Sequence, residues 1–211
     1  MTTLGDMVTI LSQRSGNRDD LESRIKSEQR FVQKTILEGT GAFKPWFLES
    51  DPELLTTTAN SPIVAFPDDY LGEIENSMLW YQDDAGTWHK LEKKSYDYVV
   101  GRTAIEEGVP KYFVIAATSF YIYPIPSKAY SLRFRYYQKE PELVNDTDTN
   151  LWLFHAEDLF FAEVGAIINE FHTKDDNQAA KFRQAATVAR QRLFVLNAAK
   201  ENVNRDYEMG T

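Results

Sequence analysis

The sequence contains no cysteine, and this absence narrows the chemistry open to the chain. Without thiols there are no disulfide bridges, no thiolate zinc sites and no cysteine nucleophiles. Only three histidines are present, so histidine-based triads and metal sites are poorly supplied as well. No Gly-x-Ser-x-Gly elbow and no glycine-rich phosphate-binding loop follows a predicted strand. The composition therefore predicts a protein that is not an enzyme and has no catalytic, cofactor-binding or metal-binding residues.

Long apolar runs are missing too. A membrane-spanning helix needs about 20 consecutive apolar residues, and no stretch reaches that length. The densest run, Leu151 to Phe171, is interrupted by five His, Asp and Glu side chains. The opening Met1 to Met7 has neither the basic residues nor the apolar core of a secretory signal. We therefore expect neither a membrane partner nor a secretory signal.

Positive charge is scarce. The chain has 23 basic and 32 acidic side chains, a net charge of −9. The acidic excess is concentrated in residues 41–99, which carry four basic and eleven acidic side chains. A protein that grips the nucleic-acid backbone needs a basic stripe. The charge therefore predicts that DNA is not tightly bound.

Apolar residues recur at helical spacing at both ends of the chain. Residues 1–41 predict two helices, the first closed by Ser15-Gly16 and the second with its apolar face at Leu21, Ile25, Val32 and Ile36. Residues 141–203 predict a helical pair, near Leu151–His172 and from Asp175 to Val203, in which Gly165 permits close approach of a neighbouring helix. Neither end buries its apolar face alone, so we expect both to form one bundle. The positions expected in its core include Leu159, Ala166, Ile167, Leu193 and Leu196.

Between these helices, residues 42–140 show the pattern of strands, with short apolar runs broken by Pro, Asp and Ser. Asp83 to Gly86 predicts one hairpin turn, and Pro124 to Ser127 predicts a second, joining Tyr112–Tyr123 to Ser131–Tyr137. The predicted fold class is therefore α+β. It is a helical bundle formed by the N- and C-terminal helices, with an inserted antiparallel β-rich domain, sandwich- or barrel-like, that projects from it.

Two groups of side chains suggest binding chemistry. His155 and Asp158 have the i, i+3 spacing of a metal site, but acids at a helix start and a histidine at its end also complement the helix dipole, and this second interpretation is favoured. The strands are rich in aromatic residues, including Trp80, Trp88 and Tyr121. These side chains occur in glycan- or peptide-binding grooves, but they also fill strand faces and subunit interfaces, and this second interpretation is favoured.

The order of several short motifs resembles a known family, the head-to-tail adaptor (connector) ring proteins of tailed bacteriophages. The resemblance runs from about Leu4 to Val203. After the N-terminal helix pair, it is carried by Pro67-Asp68-Asp69-Tyr70, by Gly108 to Phe113 with the strand ending Tyr123-Pro124-Ile125-Pro126, by Tyr130 to Tyr137 before Pro141-Glu142-Leu143, and by Asn150-Leu151-Trp152 before the long helical pair.

The resemblance implies a structural virion protein made in the host bacterial cytoplasm and located at the head–tail junction. Such adaptors form a ring of about twelve copies with head-to-tail contacts. The ring connects the portal protein of the capsid to the downstream tail proteins and lines the channel through which DNA passes. Two alternatives stay open: another tail-completion or tail structural protein, and a β-rich glycan- or peptide-binding module.

The last residues, 204–211, predict an extended C-terminal arm. Their few apolar side chains bury too little area for the segment to fold alone, so the arm is either frayed or ordered by a partner. Because the resemblance implies a terminal arm that reaches the portal, we expect Val203, Tyr207 and Met209 to contact the portal or a neighbouring subunit.

Overall fold

The computed structural model describes residues 1–39, 41–74, 79–100 and 106–208, with the backbone alone at Val100 and for 201–208. The chain is α+β, as predicted. It divides into two compact units, a helical unit of residues 1–48 with 139–211 and a β unit of residues 49–138. The change from helical to strand pattern in the sequence predicts these boundaries at 42 and 140.

The helical unit begins with α1 (Leu4–Arg14), which a capping box holds at its N-terminus. The Thr3 hydroxyl accepts a hydrogen bond from the Asp6 backbone N–H at 3.2 Å, and the Asp6 carboxylate accepts one from the Thr3 N–H at 2.9 Å. These bonds satisfy donors that the first helical turn leaves without partners. Gly16 then takes a left-handed conformation (φ 91°) that ends the helix.

At the end of the second helix, the buried position differs by one residue from the predicted apolar face. A 3₁₀ turn (Asp19–Leu21) leads into α2 (Glu22–Phe31), which continues as a π-helical turn (Val32–Leu37). A π turn contains more residues than the 3.6 residues of an α-helical turn. It therefore buries Leu37 and leaves Ile36 half-buried, whereas the regular period predicts Ile36 inside.

The C-terminal helices are α4 (Leu151–His155), α5 (Glu157–Ile167) with a π turn (Ile168–Thr173), and α6 (Asp176–Glu208). The single helix predicted near Leu151–His172 is interrupted at Ala156, whose φ of −137° and ψ of 38° are not helical. α6 has 33 residues and is therefore about 50 Å long. It includes residues 204–208, which were expected in an extended arm. None of the described helices is long and apolar enough to cross a membrane.

α5 and α6 pack closely, because Gly165 of α5 faces the ring of Phe182 on α6. This confirms the role predicted for Gly165. Leu193 is buried as predicted, whereas Leu196 is 52% exposed. The buried positions of α6 are spaced three or four residues apart and leave Leu196 at the edge of the buried side: Ala179, Phe182, Ala186, Ala189, Leu193 and Asn197. Leu159 and Ala166 are buried as predicted, and Ile167 is half-buried.

The described part of the β unit consists of short strands and one short helix, α3 (Tyr96–Val100). In chain order the described strands are β1 (Glu53–Thr56), β2 (Ile63–Ala65), β3 (Tyr70–Glu73), β4 (Trp80–Gln82), β5 (Trp88–Lys90), β6 (Glu92–Lys93), β7 (Glu107–Gly108), β8 (Tyr112–Ala116), β9 (Ser119–Tyr123), β10 (Ile125–Pro126), β11 (Ser131–Phe134) and β12 (Tyr136–Gln138).

Two four-stranded sheets enclose one core. The first sheet has the order β1-β11-β4-β5 and is antiparallel; the second has the order β2-β9-β8-β6, with β6 parallel to β8. β3 with β12 and β7 with β10 form separate pairs, the latter parallel. Leu132 and Phe134 of the first sheet contact Phe113, Phe120 and Ile122 of the second. The Phe120 and Phe134 ring centroids are 4.7 Å apart, so the arrangement is a sandwich.

One predicted hairpin is present and the other is wrong. β4 pairs with β5 across Asp83 to Gly86, as expected. β8 pairs instead with β9 across Ala117 and Thr118, while β11 lies in the other sheet. Ala117 takes the left-handed conformation (φ 52°) that the tight turn requires.

The two ends of the β unit lie side by side. The Ser50 backbone N–H donates to the Tyr136 carbonyl at 2.8 Å, and the Tyr136 N–H donates to the Ser50 hydroxyl at 3.1 Å. Glu49 and Tyr137 form an isolated antiparallel bridge. The chain therefore leads into this unit and out of it at neighbouring points.

Candidate interaction surfaces

The outer side of α6 exposes large apolar side chains. Val188 is 42% exposed, Val195 70% and Leu196 52%. Val188 and Val195 are two helical turns apart and lie on the same side of α6, while Leu196 lies about 100° around the helix from Val195. Several large apolar side chains exposed on one helix make its outer surface a candidate for a protein–protein contact.

A groove of about 480 Å³ runs along the same helix, and its cations are already paired. Arg190 forms an ion pair with Glu163 of α5, and Arg183 forms one with Glu170. The groove is therefore better suited to an apolar or uncharged polar group than to an anion. Its lining residues are Ile36, Glu163, Arg183, Ala186, Thr187, Arg190, Gln191 and Phe194.

The residues predicted to contact the portal or a neighbouring subunit lie at the end of α6. Val203 and Tyr207 are helical in backbone conformation. They follow Leu196 by seven and eleven residues, spacings that return to nearly the same side of a helix. Met209 lies outside the described residues. Two of the three positions therefore extend the side of the helix on which Leu196 is exposed.

A buried polar network, missed by the sequence analysis, holds the helical unit together. The Glu38 carboxylate accepts hydrogen bonds from the Trp152 indole N–H at 2.8 Å and from the Gln33 amide at 3.2 Å. The Gln33 amide also donates to the Glu140 carbonyl at 2.9 Å, and the Asn150 amide donates to Gln33 at 3.2 Å. The network joins the π turn of the second helix to the start of α4.

Burial raises the pKa of Glu38, because a charged carboxylate is poorly solvated there; the hydrogen bond from Trp152 acts in the opposite direction. Glu38 is 8% exposed, and its hydrogen bonds tie together parts of the helical unit. We therefore assign this network to stability. The signal in the sequence is the placement of Gln33 beside Val32 on a predicted core-facing turn.

The two residues considered for a metal site, His155 and Asp158, have separate partners. The His155 ring stacks on Phe47, with centroids 5.0 Å apart, and burial lowers the pKa of His155. Asp158 lies 3.8 Å from Arg192 instead, and His172 bonds to Glu28 at 2.9 Å. Within the described ranges, no three His, Asp or Glu side chains are grouped as metal ligands.

The outer face of the first sheet of the β unit carries an aromatic and basic cluster. The guanidinium of Arg133 lies 4.8 Å from the Trp88 ring centroid and 5.9 Å from that of Trp80. The register places Leu54, Arg133, Trp80 and Lys90 in one row across the four strands. The two tryptophans considered for glycan or peptide binding are thus brought together around a cation.

Comparison with known proteins identifies the family. No curated protein matches the chain significantly. A protein-family model described as SU10 adaptor protein matches residues 2–208, which span nearly all of both units. This match confirms the resemblance found in the sequence. The chain therefore belongs to the SU10 adaptor protein family and is a structural bacteriophage adaptor, a class of protein that is not an enzyme class.

Proposed function

We propose that copies of this chain form a closed ring that connects the portal of the capsid to the tail and surrounds the path of the DNA. The family match over residues 2–208 carries this proposal. By the family resemblance, the ring has about twelve copies, joined by head-to-tail contacts between unlike surfaces.

The exposed side of α6 supports an assembled state. Val195 and Leu196 lose their exposed apolar area only when another subunit or a partner protein covers them. Burial of apolar surface contributes about 25 cal/mol per Å². A ring repeats the same contact at every subunit, so a modest gain at each contact accumulates around the circle.

The charge of the chain suits a channel that passes DNA without holding it. The net charge is −9. Each phosphate neutralised by a cation adds to affinity through the release of counterions. An acidic wall avoids this attraction, so DNA moves through the ring without tight binding.

The end of α6 provides the contact with the portal. Val203, Tyr207 and Met209 are the proposed anchors there, and tyrosine is a frequent anchor at protein interfaces. The described buried positions of α6 end at Asn197. Removal of residues 201–211 therefore leaves the described core of the helical unit in place.

The experiment is electron cryo-microscopy of the protein alone and mixed with capsids that lack it, for the full chain and for the chain without residues 201–211. We expect rings seated at the portal vertex with the full chain. The truncated protein should keep its melting temperature and ring formation while losing attachment to capsids. A substitution at the helix start, Lys181→Ala, is the control and should leave attachment intact.

Two results would contradict the proposal. Capsid attachment by the truncated protein at full efficiency would show that the end of α6 is not the portal contact. Rings that bind tails and never capsids would assign the chain to tail completion instead.

A further inference from the structure

The two outer faces of the β sandwich carry aromatic side chains in opposite charge surroundings. Because the two sheets share the core between them, their outer faces point in opposite directions. We name the outer face of the first sheet the indole face and that of the second sheet the tyrosine face. They are defined by Leu54, Trp80, Trp88, Lys90 and Arg133, and by Ile63, Tyr96, Asp97 and Tyr121.

The indole face is basic. Arg133 lies against both tryptophan rings, and neither Arg133 nor Lys90 has a carboxylate within ion-pair distance among the described residues. Leu54, in the same row, is 65% exposed. Four other cations of the β unit are paired within it, in the ion pairs Lys93–Glu73, Lys94–Glu92, Lys128–Asp84 and Arg135–Glu49. The indole face therefore offers positive charge that this chain leaves uncompensated.

The tyrosine face is apolar with an acidic edge. Ile63 is 45% exposed and pairs with Tyr121, and the Tyr121 ring centroid is 6.2 Å from that of Tyr96. Tyr96 is 50% exposed. The next residue, Asp97, is also exposed and extends from the same short helix, α3. An indole and a guanidinium from another molecule find both an apolar surface and a carboxylate here.

We propose that the indole face of one copy docks on the tyrosine face of the next copy around the ring. This inference rests on the proposed ring. A closed ring requires two different complementary surfaces on each subunit, and faces on opposite sides of the sandwich satisfy this geometry. The charges are complementary, and Trp, Tyr and Arg are the residue types that dominate interface energies.

Arg133 is the central group of this contact. Its guanidinium lies against both indoles, and a guanidinium can donate two parallel hydrogen bonds to a carboxylate. Asp97 of the neighbouring copy is the proposed acceptor. Leu54 then packs against the exposed side of Ile63 and Tyr96.

A charge exchange tests the contact. Arg133→Glu and Asp97→Arg should each raise the concentration needed for half-maximal ring formation about tenfold or more, measured by mass photometry. The double variant should recover assembly, and so should an equimolar mixture of the two single variants. Arg24→Glu, on the exposed side of α2, changes the charge equally and should have little effect.

Cysteine cross-linking gives a second readout, because the chain has no native cysteine. Leu54→Cys combined with Ile63→Cys, which keeps both Arg133 and Asp97, should yield a ladder of covalent oligomers after oxidation, both in free protein and in rings on capsids. Each single-cysteine variant should form no covalent species larger than a dimer. Circular dichroism of every variant verifies that the fold is intact.

The outcomes separate this inference from the proposed function. Rings without a cross-linked ladder, or rings unaffected by Arg133→Glu, overturn the face-to-face contact and leave the adaptor function standing. The absence of rings in free protein and in capsid-bound protein overturns both the face-to-face contact and the proposed ring function. Intact rings whose tryptophan fluorescence is quenched by an oligosaccharide also overturn the contact, since the indole face is then open to a glycan.

Discussion

Gly165→Ala tests the closest contact between α5 and α6. A Cβ atom at this position would lie 2.6 Å, 2.7 Å and 2.8 Å from three ring carbons of Phe182. Non-bonded carbon atoms normally lie about 3.5–4.0 Å apart, so the ring or the helices must move by about 1 Å. Phe182 is only 7% exposed, and little free space is available for that movement.

Two opposing energies determine the expected result. Overpacking in a close-packed core costs about 1–3 kcal/mol. Alanine is favoured over glycine within a helix by about 1 kcal/mol. The net destabilisation by Gly165→Ala is therefore about 1 kcal/mol. In a Phe182→Ala background the obstructing ring is gone, so the same substitution should stabilise the helical unit by about 1 kcal/mol.

The assay is a double-mutant cycle measured by urea unfolding and followed by far-ultraviolet circular dichroism, which reports the helices. Because Phe182→Ala alone costs about 3–5 kcal/mol, all four proteins are compared in a stabilising sulfate buffer. The coupling energy between the two sites should be about 1–3 kcal/mol. An equal effect of Gly165→Ala in both backgrounds would refute the reasoning, since the Phe182 ring would then not be the obstacle.

Three further predictions concern stability and charge. Leu193→Ala should lower the free energy of unfolding by about 2–5 kcal/mol and Leu196→Ala by less than about 1 kcal/mol, because the two side chains are 3% and 52% exposed. Equal losses of stability in thermal unfolding would contradict the burial of Leu193 and the exposure of Leu196. The pKa of Glu38 is raised by burial, so the stability it contributes is complete below its ordinary pKa and is lost as the pH rises through the higher folded value. Glu38→Gln should therefore become more favourable relative to the wild type between about pH 4 and pH 7; parallel stability–pH curves would contradict this. Duplex DNA should show no gel-shift complex at micromolar protein in physiological salt, and tight, salt-sensitive binding would contradict the passive channel.

Local geometry made part of the fold predictable. The alternation of Leu132, Phe134 and Tyr136 with polar neighbours predicts their burial, because successive strand residues point to opposite faces; all three are buried. The helix ending at Ser15-Gly16 was predicted from the same kind of local signal. These features depend on covalent periodicity and on the conformational freedom of glycine, and both are visible in a few consecutive residues.

Other features depend on conformations that the sequence does not mark. The β8–β9 turn places Ala117 in a left-handed conformation without the Gly, Asn or Pro that usually signals such a turn. The π turn after α2 shifts the buried position from Ile36 to Leu37. Leu196 was expected inside because it is apolar, but Asn197 takes that side, with its Oδ1 accepting a hydrogen bond from the Trp46 N–H at 2.7 Å.

The candidate surfaces were the least predictable features. The row formed by Leu54, Arg133, Trp80 and Lys90 brings the β4–β5 hairpin together with two strands that are distant from it in sequence. Its chemistry follows from the pairing register, which tertiary packing determines. The sequence identified the tryptophans as candidates but gave no indication that a cation lies against both of them.

The adjacent ends of the β unit have a consequence for how such genes diversify. Because Ser50 is hydrogen-bonded to Tyr136, the chain enters and leaves the ninety residues from Glu49 to Gln138 at neighbouring points. Closing a longer or shorter loop between two neighbouring points changes the chain entropy only slowly with length. Recombination at these two points would therefore exchange the whole β unit for another domain, and selection on a new neighbour in the particle would act on that domain without a change in the sequence of the helical unit.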